Sequence, residues 1–197
     1  MARSSRREAG SERSPNTPAW RAVWALYETV GSTPSAIVDA VMSASRADYQ
    51  AGLTDPSVRM HLAVLLEWPQ TTDLLQASTA ARYRASRQLS HQGLGSFYGL
   101  LAESALHRTI MSAGLPENRG VRVRAFLLEL VSVAIDYLVG RDLSGYIGTA
   151  ALPNVTASLA LKAAVIAEAR RRVALISVPL DLEAQDKWRT AIAQVWA

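Results

Sequence analysis

Apolar residues recur at helical spacing through almost the whole chain, and glycine, proline or short hydroxyl-rich stretches punctuate them. No stretch alternates apolar and polar residues with the period of two that a half-buried strand needs. A chain written this way must fold by laying one stripe of each helix on its neighbours. It has the material to do so, since 49% of its 197 residues are apolar. The expected fold is therefore all-α, a helical bundle of about eight or nine helices.

Trp20, Val23, Trp24, Tyr27 and Val30 fall at i, i+3, i+4, i+7 and i+10 and predict a first amphipathic helix closed by Gly31. Residues 32–35, with Pro34 among them, have the cap and first-turn chemistry of a second, which carries Ile37, Val38, Val41 and Met42 towards Tyr49 and ends at Gly52. Asp55 and Pro56 open a short helix around Val58, Leu62, Leu65 and Leu66 that Pro69 stops. Thr71 or Thr72 caps a longer polar one through Leu74, Leu75, Ala81 and Leu89. After the break at Gly93 and Gly95, a stripe of Leu94, Phe97, Tyr98, Leu101, Ala105, Leu106 and Ile110 runs to the turn at residues 114–118.

From Val121 to Val139 more than half the helical circumference is apolar, and Arg122, Glu129 and Asp136 recur every seventh residue as a polar seam. Such a helix belongs at the centre of a bundle. Glu129 and Asp136 stand about 10 Å apart along it, too far to share a proton but placed to meet basic groups of a neighbour. Asn154 caps a run from Val155 to Ile176, and Asp181 to Trp196 forms a last helix.

Residues 1–18 have no apolar period and carry Arg3, Arg6, Arg7 and Arg13, so they read as a disordered basic arm. Residues 19–54 follow as an N-terminal helical head, and residues 55–197 as a ligand-binding and dimerisation domain. The chain has 21 Lys plus Arg against 17 Asp plus Glu, and every cation except Lys162 and Lys187 is arginine, the planar fork suited to phosphate and carboxylate. No apolar run follows the basic N-terminus as a signal peptide would require, and Glu129 and Asp136 break the longest apolar stretch. A cytoplasmic protein with no membrane partner is expected.

The absence of cysteine rules out a disulfide scaffold, a thiolate metal site and a thiol nucleophile. No phosphate-binding loop, dinucleotide fingerprint, zincin motif or serine elbow is present, so no enzyme, catalytic residue or cofactor is expected. His61, His91 and His107 lie on separate predicted helices without a ligand partner one turn away, which argues against a metal. His61, Trp68, Phe97, Tyr98, His107 and Tyr137 would suit a pocket for a small planar apolar ligand, and equally suit core packing. Residues 170–172, three consecutive arginines, read as a solvated helix end favoured by the C-terminal dipole.

Two stretches resemble the TetR/AcrR family of transcriptional regulators. Residues 25–32, ALYETVGS, followed by residues 36–41, AIVDAV, are similar to the end of that family's DNA-recognition helix and the start of its long connecting helix. Residues 112–116, SAGLP, leading to Tyr137, Leu138, Val139, Gly140, Arg141 and Asp142, resemble its penultimate, dimer-forming helix. A second register makes residues 20–30, 35–44 and 46–53 the three helices of the head. The resemblance implies a homodimer that senses a small apolar ligand within residues 55–140 and changes the spacing of two DNA-binding heads. It makes Tyr27 a phosphate contact. Arg21 would join it on DNA, and Arg3, Arg6 and Arg7 would add sequence-independent phosphate binding. The rival expectation is a helical assembly protein that binds nucleic acid or partner proteins through its arm, blind to sequence.

Overall fold

The computed structural model describes residues 17–53, 58, 61, 97–111 and 119–175. These form helices α1 (Pro18–Glu28), α2 (Pro34–Leu53), α3 (Phe97–Met111), α4 (Arg119–Leu143) and α5 (Val155–Ala174), with one 3₁₀ turn at Ser144–Tyr146. No strand occurs among the described residues. Of the helices expected between residues 54 and 96, only Val58 and His61 are described, both helical and buried. The one expected at residues 181–196 lies outside the described residues.

Each start follows from local chemistry. The Thr17 hydroxyl accepts from the Trp20 amide at 3.3 Å, and Pro18 supplies the first-turn residue whose missing N–H costs nothing there. Thr33 and Pro34 repeat the device for α2, with the Ala36 amide donating to the Thr33 hydroxyl at 3.2 Å. Asn154 caps α5 by accepting from the Ala157 amide at 2.9 Å. Between α1 and α2 the chain turns at Gly31, whose φ of 83° is a left-handed conformation that a side chain would strain. Because α1 stops at Glu28, the helical period does not reach Val30, which is 70% exposed instead of joining the buried stripe.

α2 is continuous through Ser45 and Gly52 to Leu53. The register that splits residues 35–53 into two helices is thereby overturned. The buried Ser45 hydroxyl closes on the Val41 carbonyl at 2.7 Å within the same helix, so no turn interrupts the ladder.

α4 is the central helix, packed against α3 on one side and α5 on another. Every residue from Leu130 to Ile135 is buried, Ser132 among them. The Ser132 hydroxyl donates to the Leu128 carbonyl at 2.6 Å, which satisfies it inside the core. α5 returns antiparallel to α4, presenting Ser158, Val165, Ala169 and Val173, and α2 packs on α5 with Ile37, Val38, Val41 and Met42 buried. α1 lies against α2 and buries Trp20, Val23 and Tyr27. Buried residues of all five helices belong to one apolar cluster.

Replacing the fully buried Phe126 with alanine should lower stability by about 3–5 kcal/mol in denaturant titrations. Gly31→Ala should cost about 1 kcal/mol although open space surrounds the site, because the cost is conformational. A loss under about 1 kcal/mol for Phe126→Ala would place that ring outside a packed core.

Candidate functional site

Where α1 meets the end of α4, the core turns polar. Arg141 and Asp142 are adjacent on α4, with side chains only 11% and 5% exposed, and the Arg141 Nε donates to Asp142 Oδ1 at 3.1 Å. From α1, the Trp24 indole Nε1 donates to Asp142 Oδ2 at 3.1 Å, so the carboxylate joins two helices far apart in sequence. The Arg141 guanidinium carbon lies 5.4 Å from the centre of the Trp20 ring and 5.5 Å from that of Tyr137. Tyr27 meets Tyr146 edge to face, with ring centres 5.5 Å apart.

Two buried polar atoms of this cluster, the Tyr27 hydroxyl and Arg141 Nη2, have no hydrogen-bond partner among the described residues. Burial first, then the charge of Asp142 and the ionisable hydroxyl of Tyr146, hold Tyr27 ionisation above the usual phenol range, and the Arg141 charge opposes them. Tyr27 stays a neutral hydroxyl.

The expected phosphate contact is corrected by this placement. The Tyr27 side chain points into the α1–α2–α4 core and is fully buried, because it occupies the same face of α1 as Trp20 and Val23. Arg21 does lie on the exposed side of α1. Arg3, Arg6, Arg7 and Trp68 are outside the described residues. Of the expected ligand-lining set, His61 is buried, His107 is half-buried on α3, and Phe97 and Tyr98 open α3. Tyr137 is 38% exposed and packs on Arg141, which groups it with the α1 junction.

A second set of contacts fastens the head to α5. Arg172 binds Asp39 and donates from Nη2 to the Ser35 hydroxyl at 2.7 Å, both on α2. Glu168 holds Arg172 in place, accepting from its Nε at 2.9 Å while also taking two bonds from Arg171 at 2.8 and 2.9 Å. These hydrogen bonds push the Glu168 carboxyl down to about 2. Between α4 and α5 the heptad-spaced seam is ion-paired, with Glu129 on Arg170 at 2.7 Å and Asp136 on Lys162 at 2.8 Å. Arg170 also donates to the Ser132 hydroxyl at 2.9 Å.

Arg171, 63% exposed and bonded to Glu168 on its own helix, fits a solvated helix end, whereas Arg170 and Arg172 are connectors to two other helices, which corrects that reading for these two. Local composition showed their charge but not their partners, Glu129 and Asp39, which lie on helices distant in sequence. Arg141 and Asp142 were also missed as a junction. The available signal was Tyr137 and Arg141 at i and i+4, where a cation reaches a ring on one helix face.

A carboxyl held low in the folded state adds stability that is complete above its ordinary value of 4.5 and is lost as pH falls towards about 2. Glu168→Gln should therefore flatten the acid limb of a stability-against-pH profile over that interval. A limb equally steep in the variant would show that Glu168 does not anchor the arginines. No protein family, curated protein or solved structure compared with the chain matches it.

Proposed function

We propose that this chain is a TetR-like, homodimeric transcriptional regulator of the cytoplasm that senses a small apolar ligand. The observation carrying the proposal is that α1 and α2 are fastened to the α4–α5 pair at two separate points, Trp24 on Asp142 and Arg172 on Asp39 and Ser35. A regulator of this kind needs such a link, because a ligand can move a DNA-binding head only through elements that differ in energy between two arrangements. Head and body here share both a polar link and a core.

Dimerisation would use α5, not the helix ending at residues 137–142 that the resemblance pointed to, because that helix is α4, which α3 and α5 already cover. The open side of α5 presents Val155, Leu159, Ala160, Ala163 and Ala167, an apolar surface with small residues that lets a second helix approach closely. Arg21, Arg3, Arg6 and Arg7 are the proposed DNA contacts, with Tyr27 holding α1 to the body from inside. The ligand would lie within residues 55–140, near His61 and His107.

A second reading, a helical assembly protein that binds nucleic acid through its basic arm without reading sequence, is favoured by two observations. α2 is unbroken and Tyr27 is buried, so neither register keeps every part expected of the head.

Selection from a randomised duplex pool, with the full chain and with a chain lacking residues 1–16, which keeps the Thr17 cap of α1, separates the two. The regulator should enrich a two-fold-symmetric site with either protein. Binding of every sequence alike, lost together with the arm, would establish the assembly protein. Leu159→Arg should convert the dimer to a monomer in sedimentation experiments, and an unchanged mass would remove α5 from the interface.

A further inference from the structure

We propose that Asp142 is the catch of a latch: α1 undocks from α2 and from the end of α4 as one unit, about the Gly31 turn, while α2, α4 and α5 stay packed on one another. The inference needs no DNA and stands apart from the regulator reading.

Among the described residues, the side-chain contacts of α1 with α4 and the turn after it fall on one short stretch of chain. Trp24 binds Asp142, Trp20 faces Arg141, and Tyr27 meets Tyr146, all within residues 141–146. α2, by contrast, is held independently, by a buried face on α5 and by Arg172 on Asp39 and Ser35. An element of 11 residues is too short to be a stable helix alone, so α1 depends on this docking.

Docking also carries a cost at the same place. It buries the Tyr27 hydroxyl and Arg141 Nη2 without partners among the described residues, and undocking returns both to water. Favourable and unfavourable terms therefore meet on one contact patch, so the docked state is held by less than its buried apolar area alone would give. Gly31, with φ of 83° and nothing within 4 Å of the position a Cβ would take, supplies a pivot free of packing constraints. Subglobal opening of this kind is the expected behaviour of a short helix whose stability depends on its docking.

Native-state hydrogen exchange on the full chain, read helix by helix, tests the latch with three variants. Trp24→Phe keeps the apolar ring and deletes the donor to Asp142, and Asp142→Asn keeps the size and removes the charge. Each should lower α1 protection about tenfold or more and leave α4 and α5 unchanged. Tyr27→Phe, which deletes the hydroxyl that has no partner among the described residues, should raise α1 protection or leave it equal, where the other two lower it. Equal loss across α1, α4 and α5 in Trp24→Phe would overturn the proposal, as would a fall in α1 protection in Tyr27→Phe. If Asp142→Asn does not fold, the other two variants decide.

Discussion

α4 presents apolar side chains around nearly its whole circumference between Leu130 and Ile135, and a helix of that kind is stable only when neighbours cover it on several sides. The arrangement of the other helices follows. α3 covers one side with Leu101, Ala102, Ala105, Leu106 and Ile110, α5 covers another with Val165, Ala169 and Val173, and α2 lies against α5. Volume at the centre is filled by Phe126, Leu143 and the Val and Ile side chains. This burial supplies the bulk of the driving force.

The charged contacts do different work. Glu129 with Arg170 and Asp136 with Lys162 are partly exposed pairs, each contributing little stability in water. Their value lies in direction and register. Two carboxylates seven residues apart on α4 meet two cations eight residues apart on α5, an antiparallel match that a parallel or shifted pairing would break. Arg172 extends this logic to α2, held by Glu168 from its own helix so that less rotamer freedom is lost when it reaches Asp39. The apolar core holds the helices together and the ion pairs select one way of assembling them.

The junction of α1 with α4 shows where helical periodicity misleads about function. Tyr27 shares the i, i+3, i+7 stripe of Trp20 and Val23, and that stripe was sufficient to assign it to the core. Its likeness to a phosphate-contacting tyrosine pointed outward instead. Geometry decides for the core, because a ring on the buried stripe of an 11-residue helix cannot also reach solvent on the far side. What periodicity did not convey is that the core at this point contains an ion pair, an indole donor and two polar atoms without a partner among the described residues.

Local chemistry in the sequence determined the all-helical class, the starts of α2 and α5 near Thr33 and at Asn154, the turn at Gly31 and the central position of α4, while Thr17 and Pro18, read as part of the arm, in fact cap and open α1. Each depends on residues within a turn or two of one another, where capping, φ and the 3.6-residue period act. The continuity of α2, the partners of residues 170–172, and the meeting of Trp24 with Asp142 were decided only by tertiary structure. Those outcomes depend on which helix faces which, and side chains more than a hundred residues apart, such as Trp24 and Asp142, come within bonding distance only when the core has closed.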